Sequence, residues 1–354
     1  MNTKNILYLL SLAALLGACK AQQVAQNAIR PAVITEPVKY DTDDPAIWIN
    51  KADPAKSLVI GTDKDADGAL YVFDLQGKIV EDKVVRGLKR PNNVDLAYGL
   101  MLNGKPTDIA IASERMTHML RIFSVPDMKP VDNGGIEIFV GETEPEYRDL
   151  MGISIYTAKD GKMYAIAGRK TGPKTGGYLW QYLLADDGTG HVKATLVRKF
   201  GEYSGKKEIE SIAVDNELGY IYYSDEQTGV RQYYADPEKG NAQLSIFGTT
   251  GFKADHEGIS IYKLNAKTGY ILVSDQGANR FQIFSREGTK ENPFEHRLLK
   301  IADVMATQSD GSDVVNVPLN STFKHGLFVV MSDDKTFHYY RWEDIAGKEL
   351  KVKK

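Results

Sequence analysis

Apolar and polar positions alternate along this chain in short runs with almost no helical periodicity, and one arrangement of them recurs six times. Each copy is an apolar strand, a polar corner carrying charge, and a second strand ending in aromatic residues. The copies read "SLVIGTDKDADGALYVFD", "DIAIASERMTHMLRIFS", "MYAIAGRKTGPKTGGYLWQY", "GYIYYSDEQTGVRQYY", "GYILVSDQGANRFQIFS" and "GLFVVMSDDKTFHYYRW". Their late aromatics, Phe73, Phe123, Tyr182, Tyr233, Phe284 and Tyr340, are separated by 50, 59, 51, 51 and 56 residues. Ahead of each hairpin comes a second phrase, polar or acidic residues and then a short apolar strand: "DDPAIWI", "NNVDLAY", "LMGISIY", "EIESIAV", "DHEGISIY" and "SDGSDVVNV". With the β-branched stretches that follow ("GKIVEDKVV", "LSIFG", "RLLKIAD"), each unit holds about four short strands. Units of this kind with Gly and Asp at the corners predict an all-β fold, a six-bladed β-propeller with four antiparallel strands per blade. The last unit lacks a fourth strand, whereas "AVITEPV" at 32–38 precedes the first unit. An N-terminal strand is therefore expected to close the ring by pairing with the final blade.

That topology places chemistry. In a blade, the head of the innermost strand and the corner between the second and third strands lie on one face, around the mouth of the central channel. The heads supply Asp43, Asp44, Asn92, Asn93, Asp95, Glu208, Glu210, Asp255, Glu257 and Asp310, and the corners supply Lys64, Arg115, Arg169, Lys170, Glu226 and Gln276 among others. Acidic oxygens arriving from several blades suit calcium, which takes about six to eight oxygen ligands in loose geometry. Turn-favouring Asp and Asn at solvated corners are the alternative. Basic residues beside those carboxylates add a second constraint: phosphate oxygens accept a metal on one side and Arg or Lys on the other, which points to phosphate ester chemistry. There is no G-x-S-x-G elbow and no P-loop, leaving attack by a metal-activated water as the simplest mechanism. His118 and His256 are expected at the surface, and the aromatic trail in blade packing.

Composition bounds the rest. A net charge of −3 over 354 residues gives no global attraction to nucleic acid or to an anionic surface. The six His form no H-x-x-x-H spacing, which disfavours zinc. Near the N-terminus Lys4 precedes "ILYLLSLAALLGA", too short to span a bilayer comfortably, and the single cysteine, Cys19, follows at once. "LLGAC" resembles the bacterial lipobox, so residues 1–18 are read as a lipoprotein signal peptide, 19–31 as a tether lipidated at Cys19, and 32–354 as the propeller. The expectation is an exported bacterial lipoprotein held at the cell envelope, in contact with the membrane through its lipid only, and monomeric.

The ordered set "DDPAIW", "GTDK", "NNVD", "SER", "EIESIAVDNELGYIYYSDE", "DHEGISIY" and "SDQG" resembles the β-propeller phytases from about Glu36 to Ile345. These are six-bladed, calcium-dependent enzymes that hydrolyse myo-inositol hexakisphosphate (phytate). The resemblance implies several calcium ions, with Asp44, the backbone carbonyls of Pro45 and Val94, Asp255, Glu257, Gln276 and Asp310 as ligands. It makes Glu210 and Glu226 the acids that hold metal and activated water over the cleavage site. Lys64 and Arg115 would grip phosphate, joined by Arg169 or Lys170, with Asp43 on the substrate side. Met151 stands where the family has a phosphate-contacting tyrosine, Ser211 where glycine is usual, and Asp303 one position out of register with a family aspartate. Lys174, in the long corner "GRKTGPKTGGY", is a further basic candidate. Two other readings fit the residues less well: a lactonase-like calcium propeller, which has little use for the basic corners, and a non-catalytic module that captures phosphate compounds.

Overall fold

The computed structural model describes residues 24–353. The signal segment 1–18 and Cys19 lie outside the described residues. Six four-stranded antiparallel sheets form the ring, and their innermost strands are Thr42–Trp48, Pro91–Leu102, Leu150–Thr157, Ile212–Asp215, His256–Lys263 and Ser312–Val315. These strands and the second strands behind them are largely apolar on both faces because both faces are buried. One hydrophobic cluster fills each gap between neighbouring blades, the gap between the sixth and the first included.

The ring closes as expected, though with a shorter strand than residues 32–38. Val33–Ile34 pairs antiparallel with Thr336–Arg341, in the register Val33↔Tyr339 and Ile34↔His338. Docking begins earlier, inside the segment read as tether: the Ile29 N–H donates to the Asp303 carbonyl at 2.9 Å. Side chains also clamp blade to blade. Asp313 of the last blade accepts the Ile47 N–H of the first at 2.8 Å, and Asp95 accepts the Ile155 N–H of the third at 2.7 Å. Arg286 and Asp215, both buried, make a bidentate pair at 2.6 Å between the fifth and fourth blades. These clamps fix the height of each inner strand relative to its neighbours, and so fix the rim of the channel.

Candidate functional site

The rim is built by a repeated backbone device. Near its head the first inner strand carries two residues, Asp43 and Asp44, opposite the single Thr62 of its partner. The same two-against-one bulge recurs with Asn92–Asn93, Met151–Gly152 and Glu257–Gly258. In the remaining two blades Glu210–Ser211 and Asp310–Gly311 occupy the equivalent place just ahead of the strand. A bulge bends the strand and re-aims its extra side chain. The first residues of the six pairs, Asp43, Asn92, Met151, Glu210, Glu257 and Asp310, accordingly form one ring. The second residue of each pair packs against a neighbouring blade. A Cβ on Gly152 would lie 2.3 Å from the Glu210 carbonyl, whereas Ser211 fits because its Oγ accepts the Ile259 N–H at 2.8 Å.

On one side of the ring, Lys64 forms ion pairs with Asp43 and, at 3.3 Å, with Asp310. Gln276 donates to Asp310, and Asn92 Nδ2 bridges Asp43 (3.2 Å) and Glu210 (3.3 Å). Burial pushes the Asp43 carboxyl well above the usual carboxylate range, with Lys64 opposing, and raises Asp310 to about 6 with help from Glu210. Arg115 lies within electrostatic reach of Glu210 and Asp43; its guanidinium donates to the Leu150 carbonyl and contacts the Met151 sulfur. Met151 therefore covers the guanidinium that the sequence assigns to phosphate. Below this ring, Asp44, Pro45 and Val94 line the central channel with Asp95 and Asp313, a cavity of about 180 Å³.

Across the ring, carboxylate oxygens of Glu226, Asp255 and Glu257 converge within 4.8 Å of one another, as do those of Glu208, Glu210 and Glu226. Glu226 Oε1 and Glu257 Oε2 are buried without a hydrogen-bond partner among the described residues, whereas Glu226 Oε2 and Glu208 Oε2 face the ammonium groups of Lys207 and Lys170. Buried carboxylate oxygens left unpaired are costly, and burial, opposed by Lys207 and reinforced by the charges of Glu210 and Glu208, raises Glu226 to about 8. Burial also holds Glu257 well above its ordinary value. Hard, all-oxygen donors in this number fit a calcium ion. A residue missed in the sequence sits among them: Lys207 Nζ lies 2.7 Å from Glu226 Oε2, 2.5 Å from Asp255 Oδ2 and 3.9 Å from Glu257 Oε1.

Arg169 is a correction. It ends the second strand of its blade, the position that Asp63, Glu114, Asp225 and Asp275 hold in others. Those acids accept backbone N–H groups of the loops around them. Arg169 does the inverse: its fully buried guanidinium donates to the carbonyls of Tyr178, Tyr147 and Gly177 at 3.0, 3.0 and 2.7 Å and pairs with Glu142. With those donors committed it is a packing residue. Lys170, one position on and in register with Lys64 and Arg115, is the exposed cation, 3.7 Å from Glu208. His256 is also corrected from surface to interior: it is buried, stacked on Phe252 at 3.8 Å, with Nε2 on the Gly248 carbonyl. His118 is half-buried, its Nδ1 2.8 Å from the Arg148 carbonyl. Asp303 lies on the outermost strand of the fifth blade, away from the ring.

A family model described as Phytase matches residues 1–345 of this chain. Among curated proteins, the 3-phytase of Bacillus subtilis (strain 168) is 30% identical over 322 residues, covering 86% of this chain and 80% of that relative. Among solved structures, one described as the Dos1 propeller aligns with a TM-score of 0.43 and 11% identity, over 85% of this chain and 67% of its own.

Proposed function

Because the chain belongs to the phytase family, we propose that it releases phosphate from phytate in a calcium-dependent reaction on the ring described above. The observation that carries the metal requirement is the convergence of carboxylate oxygens from Glu226, Asp255 and Glu257 within 4.8 Å, with Glu226 Oε1 and Glu257 Oε2 buried and without a hydrogen-bond partner among the described residues. In this reading Glu210, Glu226, Asp255, Glu257, Gln276 and Asp310 hold calcium at the rim, and Asp44 with the carbonyls of Pro45 and Val94 holds it in the channel. Bound calcium supplies charge neutralisation to phosphate oxygens and a more acidic water.

The chain's own cations do the rest of the binding. Lys64, Arg115 and Lys170 stand on three successive blades and orient the phosphates of one inositol ring by charge-assisted hydrogen bonds. Arg115 must slide off Met151 to do so. Glu210, within electrostatic reach of both Lys64 and Arg115, orients the attacking water and receives its proton. Positioning and charge stabilisation, rather than a covalent intermediate, lower the barrier.

The test is phosphate release from phytate by the purified protein with calcium titrated in and then chelated. Release is expected to rise with calcium and to stop in excess chelator; undiminished turnover in chelator would remove the metal from the mechanism. The lipobox-like "LLGAC" supports an exported protein tethered to the envelope by a lipid on Cys19. Labelling with a radioactive fatty acid is expected to mark the wild type and not Cys19→Ala, and label on both would refute the anchor.

A further inference from the structure

Lys207 belongs to the segment ahead of the fourth inner strand, and the family resemblance gives it no role. Its amino group is in ion-pair contact with Glu226 and Asp255 and 3.9 Å from Glu257, the three side chains whose oxygens converge within 4.8 Å. Calcium sits about 2.3–2.6 Å from its oxygen ligands. An ion held by these three carboxylates and the Lys207 ammonium would therefore claim the same volume, with like charges in contact. We propose that Lys207 is an internal counter-cation that must leave the Glu226–Asp255–Glu257 cluster before a divalent cation enters, so that this lysine sets the affinity of the site. The inference rests on the calcium reading above.

The surroundings give the displaced side chain somewhere to go. Lys207 is about one-third exposed and lines, with Lys170, Tyr203 and Glu208, an open cleft of about 370 Å³. Glu208, whose Oε2 makes no hydrogen bond among the described residues and only a 3.7 Å ion pair with Lys170, offers an alternative anion on that cleft. The neighbouring Lys206 behaves differently: it is exposed, and its amino group donates to the Gln227 carbonyl at 2.9 Å, outside the carboxylate cluster. A lysine that merely fastens its loop and a lysine that competes with metal make opposite predictions. Removing the first loosens the site and weakens calcium binding; removing the second strengthens it.

The experiment is calorimetric titration of calcium into the full, metal-stripped chain near pH 7.5, for wild type, Lys207→Met, Lys207→Arg and Lys206→Met. Loss of one partly exposed like charge is expected to tighten binding at one site roughly tenfold in Lys207→Met, with the other two variants close to wild type. Thermal midpoints give a readout independent of binding heats. Without calcium Lys207→Met is expected to melt below wild type, because three converging carboxylates lose their counter-charge; with calcium the gap closes. Should Lys207→Met fold only in calcium, that also supports the proposal; folding in neither condition overturns it. Unchanged or weaker calcium affinity in Lys207→Met, with wild type binding normally, overturns this inference alone. No calcium uptake by any of the four proteins overturns it together with the metal reading.

Discussion

Glu226→Gln is expected to reduce calcium-dependent phosphate release from phytate by about 10³-fold, while leaving the metal-free protein at least as stable as wild type. The two halves of the prediction have one cause. Glu226 is fully buried, its Oε1 has no hydrogen-bond partner among the described residues, and Glu210 and Glu208 add like charge that the single Lys207 ammonium on Oε2 only partly offsets. A carboxylate kept in such a place is a cost to the fold unless a cation completes it. Glutamine removes the charge, keeps the shape, and deprives the site of a ligand shared by both acidic clusters. Activity and calcium-induced stabilisation should fall together. Steady-state rates and thermal midpoints of the two proteins, each with calcium and with chelator, check it. Near-normal turnover would show that Glu226 is not a ligand, and a large loss of metal-free stability would show that its charge is structural.

The ring was legible because propeller geometry is periodic. Six hairpins with aromatic ends and six polar-headed strands fix blade number, strand count and the face on which heads and corners meet. Closure was legible from what was missing, a fourth strand after Tyr340. The bulges were not, since two-against-one pairing is a property of register between strands and "DD", "NN", "MG" and "EG" share no residue type that announces it. Yet the bulge is what aims Asp43, Asn92 and Glu257 at the channel.

Arg169 and Lys170 illustrate the same limit at single-residue scale. Adjacent basic residues in a turn cannot be ranked from the sequence, but the strand register assigns one to the structural row of Asp63 and Asp225 and the other to the row of Lys64 and Arg115. A signal existed in the alignment of the six corners against one another. Lys207 carried no such signal, because it belongs to a loop whose position depends on how Tyr203 and Ser204 are held by neighbouring backbone and by Asp225. His256 went inside because Phe252 and the Gly248 carbonyl, several residues upstream, fold back over it.

Metal-free protein is expected to lose at least about 1.4 kcal/mol of stability between pH 7 and pH 9, and calcium is expected to remove most of the loss. Glu226 is raised to about 8 in the folded state from an ordinary value of 4.5, and Asp43 and Glu257 are raised well above theirs, burial being the first cause in each. Folded protein then binds more protons than unfolded protein across this range, so stability must fall as pH rises through the folded values. Glu226 alone contributes about 1.4 kcal/mol between those two pH values, since a tenfold difference in proton affinity between folded and unfolded chain is worth about that much. Asp43 and Glu257 add to the loss for as long as they stay protonated in the folded state while ionised in the unfolded chain. Buried His256, His296 and His338, whose values are lowered by burial, act in the opposite sense, but only below about pH 6.5. The comparison is therefore cleanest above neutrality. With calcium bound Glu226 and Glu257 are ionised as ligands, so the folded state no longer holds their extra protons and most of the slope disappears. Calorimetric Tm values of stripped and calcium-loaded protein at pH 7 and pH 9 would decide it. A flat profile without calcium, or a calcium increment no larger at pH 9 than at pH 7, would mean that the ring is not the charge-frustrated cation site its geometry describes.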